Sequence, residues 1–180
     1  MLSNDRIKEA QDNIPGYLEQ GLLKKSVIPE PAIQRVLVSN CEESLKVAGL
    51  LFKNSYSNLW AIVCSYYAMY YIANAVLNSM GYKIGEKIAH KVTADALIVY
   101  VRNKLKASLL VEYESAKDEA LEIVGLRADE FIESFDLERI KRGRIHYRMT
   151  EEAKHAKANT SLERAKAFVF EMEKLLAEIS

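Results

Sequence analysis

Between Lys53 and Lys83 the chain reads NSYSNLWAIVCSYYAMYYIANAVLNSMGY, without one Asp, Glu, Lys or Arg. Leu59, Ile62, Val63, Tyr66, Tyr70, Ala73, Leu77 and Met80 recur at steps of three and four, and Trp60, Tyr67, Tyr71 and Val76 make the opposite side apolar as well. Such spacing predicts a helix buried on nearly every side, around which the other elements pack. Roughly 20 apolar residues also suffice to cross a bilayer. Ser65, Tyr66, Tyr67, Tyr70, Tyr71 and Asn74 would then place hydroxyls and an amide among lipid tails, where unpartnered polar groups are expensive. A protein core is therefore the expected surrounding, and no membrane association is expected.

The same period recurs on both sides of this stretch. Ile33, Val36, Leu37, Cys41, Leu45, Ala48, Leu51 and Phe52 predict a long helix from Pro31, a residue suited to a first turn, to about Lys53. Asn54, Ser55 and Ser57 offer N-caps for the central helix, and Gly81 offers its stop. VTADALIVYVRNKL predicts a third helix from about Lys91, although the β-branched Ile98, Val99 and Val101 also suit a strand. After a linker at about Lys106 to Val111, Leu121, Val124, Ala128, Phe131 and Phe135 face inward. Glu112, Glu114, Asp118, Glu119, Glu122, Asp129, Glu130 and Glu133 face outward, giving an acidic-faced amphipathic helix. TEEAKHAKAN reads as an exposed loop or frayed helix, and Thr160 with Glu163 as a capping box opening a final helix through Leu162, Phe168, Met172 and Ile179. In the first thirty residues, Asn4 to Asn13 predicts one short helix, IPGY a turn, and Pro15 the start of another. The expectation is an all-α, up-and-down bundle of about five helices over residues 31–180, preceded by a short helical N-terminal arm over residues 1–30.

Composition narrows the function classes. Lys plus Arg and Asp plus Glu both total 25, so no global field steers the protein toward nucleic acid or membrane, and any such role needs a local patch. Cys41 and Cys64 both fall in apolar helical patterns and form no Cys-x-x-Cys pair. With a charged N-terminus that lacks a signal-peptide core, this points to a reducing cytoplasm. Phosphate-binding Gly-rich loops, a Gly-x-Ser-x-Gly elbow and a Cys–His constellation are all missing. Glu152-Ala-Lys-His155 has the Glu-x-x-His form of di-iron bundles, but there is no second copy and the surroundings are polar. Neither a metal site nor a cofactor is expected.

The charge pattern does single out LERIKRGRIHYRM, where Arg139, Lys141, Arg142, Arg144 and Arg148 follow the acidic helix. If the segment is helical, Arg139 and His146 share a line, with Arg142 one turn from His146. An arginine can neutralise charge on a phosphate while an imidazole takes a proton from, or returns one to, a ribose oxygen. The competing reading is a solvated basic helix end. A second basic group, Lys83, Lys87, Lys91, Arg102, Lys104 and Lys106, brackets the third helix, where it can add phosphate contacts or simply be solvated. His90 stands directly before that helix, as a capping or packing residue or as a ligand to phosphate.

WAIVCSYYAMYYIANAVLNSMGYKIGEKIAHKVTADAL, with LERIKRGRIHY and SLERAKAFVFEMEKLL, resembles the HEPN domain family, the nucleotide-binding domain of higher eukaryotes and prokaryotes, in its prokaryotic type. The likeness covers about Pro31 to the end and implies a helical bundle, usually homodimeric. It further implies a nucleotide- or RNA-binding protein, partnered by a nucleotidyltransferase in a toxin–antitoxin-type system. The alternative it offers is a metal-independent endoribonuclease with an Arg/His pair. Carried onto this sequence, the family's motif gives Arg139, Arg142 and His146 as catalytic candidates, and Arg142, Arg144, Tyr147 and His90 as nucleotide or phosphate ligands. Ile140 stands where the family usually has a polar residue, and only three residues separate Arg142 from His146. A structural or protein-interaction bundle is the third reading.

Overall fold

In the computed structural model, residues 2–25, 29–135 and 151–179 are described, with side chains omitted for 126–135. The described chain is all-α apart from one small ribbon. Helix α1 (Asn4–Glu19) is followed by strand β1 (Leu23–Lys25), helices α2 (Pro31–Lys53) and α3 (Asn58–Ser79), and strand β2 (Tyr82–Ile84). Helix α4 (Ala89–Ala96) runs on through a π-helical turn, Leu97–Val101, and a 3₁₀ turn, Arg102–Lys104. Helices α5 (Ala107–Phe135) and α6 (Glu151–Ile179) complete the chain.

The charge-free stretch forms α3, the centre of the bundle, against which α2, α5 and α6 all pack. Ser57 caps it, its hydroxyl accepting from the Trp60 amide at 3.3 Å, and Gly81, at φ 82°, turns the chain out at the other end. By length and composition α3 could cross a membrane, yet two thirds of its most apolar window is buried inside the protein. Ala61, Ala68 and Ala75, spaced by seven and fully buried, keep the helix slim enough for close neighbours. Ile62, Ile72 and Leu77 are almost wholly buried, each worth about 1.5–3 kcal/mol. Asparagines of α3 that would be costly in lipid find partners here, whereas the buried Ser65 hydroxyl has none among the described residues. Asn74 donates to the Tyr70 carbonyl at 2.8 Å and accepts from Thr93 of α4, while Asn78 donates to Gln34 of α2 at 2.9 Å. Trp60, on the face read as buried, is instead about half exposed.

Three boundaries differ from the sequence expectation, each because a tertiary partner overrides a local signal. First, α1 is one helix with Pro15 inside it. The proline gives up one backbone bond, but Ala10, Ile14 and Tyr17 are buried along a single face, and α1 packs on α4. Second, α5 starts at Ala107, inside the expected linker, because Leu109 and Leu110 join the core. Third, α6 is continuous from Glu151. Thr160 does not cap a new helix: its hydroxyl donates back to the Ala156 carbonyl at 3.0 Å, while Ala158, Ser161 and Leu162 continue the buried face on either side.

The apolar run after Ala96 stays helical, with an accommodation. The extra residue of the π turn lets Leu97, Ile98 and Val101 all be buried. It leaves Tyr100 to stack on Tyr82 of β2, ring centroids 4.1 Å apart. Strands β1 and β2 pair antiparallel, Leu23 opposite Ile84, Lys24 opposite Lys83 and Lys25 opposite Tyr82. Gly85 closes this ribbon: a Cβ there would lie 3.1 Å from the Leu22 carbonyl oxygen, to which the Gly85 amide donates at 2.8 Å.

Candidate functional site

Arg139, Arg142, Arg144, His146 and Tyr147 lie outside the described residues, as does the rest of the segment joining α5 to α6. What is described is how α5 and α6, which flank that segment in the sequence, lie against each other. Tyr113 meets Phe168, and Glu119 pairs with Lys157 and accepts from Ser161, so contacts on α6 descend as those on α5 ascend. The two helices are antiparallel where they meet, and the basic segment follows α5 and precedes α6 in the sequence.

His90 lies elsewhere. It opens α4 just after Ile88, a non-glycine residue held at φ 46°, and its ring enters a nest of tyrosines from α3. The imidazole centroid is 4.6 Å from that of Tyr70, 5.5 Å from Tyr66 and 5.7 Å, edge-on, from Tyr67. Tyr66 in turn meets Tyr113 of α5 at 5.9 Å. Tyr113 is 22 residues before the end of α5, about 33 Å along the helix at 1.5 Å per residue. His90 thus sits near the start of α5, whereas the basic segment follows its last residue.

Chemically this nest holds its members neutral. Burial pushes the Tyr66 hydroxyl far above the usual tyrosine range, and burial together with the nearby Lys117 cation lowers the His90 imidazole below 6.5. Tyr66 therefore keeps its proton, and its hydroxyl shares a hydrogen bond of 2.7 Å with Nδ1 of the neutral His90 ring, the donor being set by the imidazole tautomer. Burial, and then the neighbouring Tyr66 hydroxyl, raises the fully buried Tyr113 hydroxyl well above the usual tyrosine range, although no hydrogen bond of good geometry reaches it. The spacing of tyrosines by four on α3 is the sequence signal for this cluster. Nothing in the sequence names Tyr113 or Lys117 as its neighbours.

This pairing makes stability pH-dependent. The unfolded imidazole titrates near 6.5 and the folded one lower, so between the two values the unfolded chain binds more protons and stability rises with pH. The contribution is complete above about 6.5 and declines as the pH falls through the window. Melting temperatures recorded from pH 7.5 to 5 are expected to fall less steeply for His90→Gln than for the wild type. Parallel curves would show that His90 is not the group responsible.

Two other features bear on chemistry. A cleft of about 460 Å³ lies between α5 and α6, where Asp118, Glu119 and Glu122 face Lys157 and Arg164. Its opposing charges leave no strong preference for an anion. His155 stacks on Phe52 at 4.6 Å, and Glu152 is exposed. Among the described residues no three His, Cys, Asp or Glu side chains converge as metal donors. Both cysteines are free thiols, and burial raises the pKa of each, that of Cys41 to about 12. No protein-family model matches the chain, and no curated protein matches it significantly.

Proposed function

We propose that this protein is a HEPN-type helical bundle that binds RNA or a nucleotide through the basic segment joining α5 to α6. One observation carries the reading: Arg139, Lys141, Arg142, Arg144 and Arg148 are concentrated between two antiparallel helices in a chain whose total charge is balanced. Arginine is suited to this work, since its planar guanidinium binds phosphate oxygens in pairs and stacks on bases. Arg142 and Arg144 hold phosphate, and Tyr147 offers a ring for a base. The second reading, metal-independent cleavage, rests on the spacing of Arg139 and His146. There Arg139 or Arg142 balances charge on the phosphate and His146 moves the proton. A homodimer, and a nucleotidyltransferase as toxin–antitoxin-type partner, complete the proposal.

Binding and cleavage separate in one set of experiments. With labelled single-stranded RNA in excess chelator, Arg142→Ala/Arg144→Ala is expected to weaken binding at least tenfold, and His146→Ala to leave it within about twofold. Binding indifferent to the double substitution would reject the reading. Fragments ending in 2′,3′-cyclic phosphate, produced by the wild type and not by His146→Ala, would establish the ribonuclease instead.

A further inference from the structure

Along α2, Ile33, Val36, Asn40, Glu43, Val47 and Leu50 follow one another at alternating steps of three and four. At roughly 100° per residue they form one stripe, about 120° round the helix from the buried Cys41 and Ala48. The stripe is open to solvent. Val36 is 57% exposed, Val47 36% and Leu50 49%, with Ile33 half-buried at one end. Asn40 and Glu43, at its middle, make no side-chain hydrogen bond or ion pair among the described residues.

Apolar residues scattered singly over a surface are ordinary. These are ordered instead, with the spacing by which one helix seats its side chains between those of another. The order of types is also the same from either end: two apolar, two polar, two apolar. Laid along the stripe end for end, a second copy sets Ile33 against Leu50, Val36 against Val47 and the Asn40 amide against the Glu43 carboxylate. A two-fold axis makes each contact twice. The amide donates and the carboxylate accepts, so the two polar residues satisfy each other across the axis. Other pairings fail. A copy running in the same direction brings Glu43 against Glu43, and like charges so placed repel. A slip of one heptad sets Val47 against Glu43 and Leu50 against Asn40, which buries polar groups against apolar ones. A different protein would place no demand for this symmetry on α2, whereas a second copy does.

We infer that the outer stripe of α2 is the surface on which two copies of this chain pair, antiparallel about a two-fold axis level with Cys41 and Glu42. The inference rests on the homodimer of the reading above and names its interface. From Ile33 to Leu50 the stripe runs about 26 Å. One helix face of that length buries less than the roughly 800 Å² per partner of a standard interface, so a dissociation constant on the order of 10 μM is expected.

Sedimentation velocity of the full chain, over concentrations bracketing that value, tests the pairing with the wild type, Val36→Glu/Val47→Glu and Val36→Lys/Val47→Glu side by side. Positions 36 and 47 face each other across the axis, so the first variant sets like charges together and the second sets unlike ones. Both side chains are exposed in the single chain, and circular dichroism at concentrations where the wild type is monomeric checks that each variant folds. Val36→Glu/Val47→Glu is expected to dimerise at least about tenfold more weakly than the wild type, and Val36→Lys/Val47→Glu at least about tenfold more tightly than Val36→Glu/Val47→Glu. A wild type that stays monomeric throughout would overturn both the inference and the homodimer, leaving the stripe to another protein. A dimer undiminished in Val36→Glu/Val47→Glu would overturn the inference alone and move the homodimer to another face. Equal weakening in the two variants would overturn it as well, since the antiparallel register requires them to differ.

Discussion

Replacing Asp95 by alanine is expected to destabilise the fold by about 3–5 kcal/mol, the usual effect of removing one partner from a buried charged network. The Asp95 side chain is wholly buried and accepts three hydrogen bonds from α1: Arg6 Nη2 at 2.5 Å, Tyr17 Oη at 2.8 Å and Asn13 Nδ2 at 2.9 Å. Arg6 is simultaneously clamped to Glu114 of α5, Nε lying 3.1 Å from both carboxylate oxygens and Nη2 2.8 Å from one. Burial disfavours the guanidinium charge, but the bonds to Glu114 and Asp95 more than offset this and hold its pKa above the normal arginine value. Burial, and then the bond to Asp95, likewise raises the Tyr17 hydroxyl. Alanine at position 95 strands the Tyr17 and Asn13 donors and leaves Glu114 as the one close carboxylate on Arg6, since Glu9 is 3.7 Å from Nη1.

For a chain of this size, 1 kcal/mol moves the melting temperature by about 2–4 °C, so a fall of roughly 6–20 °C is expected. Amide exchange should show α1 losing protection first, since these bonds tie it to α4 and α5. A loss below about 1 kcal/mol would mean that the network is no more than a surface cluster. Arg6→Met combined with Asp95→Leu should recover no more than part of the loss, because it removes both charges but still strands the Tyr17 and Asn13 donors and takes Arg6 from Glu114.

This network also shows where reading the sequence stops. The bounds of α2 and the cap and stop of α3 are local facts, written in Pro31, Lys53, Ser57 and Gly81, and they are found where the pattern puts them. Arg6 and Asp95 are 89 residues apart, and neither carries a local mark of the other. An aspartate in VTADAL breaks the apolar run and reads as a solvent-facing position until α1 is laid over it. Glu114 and Glu119 belong to an acidic stripe that reads as fully solvated, yet one clamps Arg6 and the other bonds Lys157 and Ser161. Thr160 fails differently. A threonine three residues before a glutamate has the same letters whether its hydroxyl caps a helix or bonds back to the preceding turn, and only the continuing buried face decides between them. The ribbon is invisible because three residues per strand are too few to establish a period of two. In the candidate sites, the cationic segment is legible as charge alone, whereas the His90 nest depends on Tyr113 and Lys117 arriving from a helix far along the chain.

Phe168 and Phe170 make the sharpest comparison between pattern and energy, because they share one helix and one chemistry. Two residues turn a helix by about 200°, so they point in nearly opposite directions. Phe168 belongs to the inward set read from the sequence; it is fully buried and packs on Tyr113 at 5.3 Å, tying α6 to α5 beside α3. Phe170 is 57% exposed, with the Lys174 ammonium 4.0 Å from its ring centroid. Phe168→Ala removes a full ring from a close-packed site and leaves a cavity, a change that costs about 3–5 kcal/mol. Phe170→Ala removes an exposed cation–π contact worth about 0.5–1 kcal/mol. Urea unfolding of the two variants should therefore give midpoints that differ from the wild type by clearly unequal amounts, with the larger shift for Phe168→Ala and an unchanged denaturant slope for Phe170→Ala. Equal shifts would mean that the α6 face packed on α3 and α5 is misassigned. A reversed order would mean that Phe170, rather than Phe168, is covered in solution, as it would be if another copy of the chain or a partner protein lay against it.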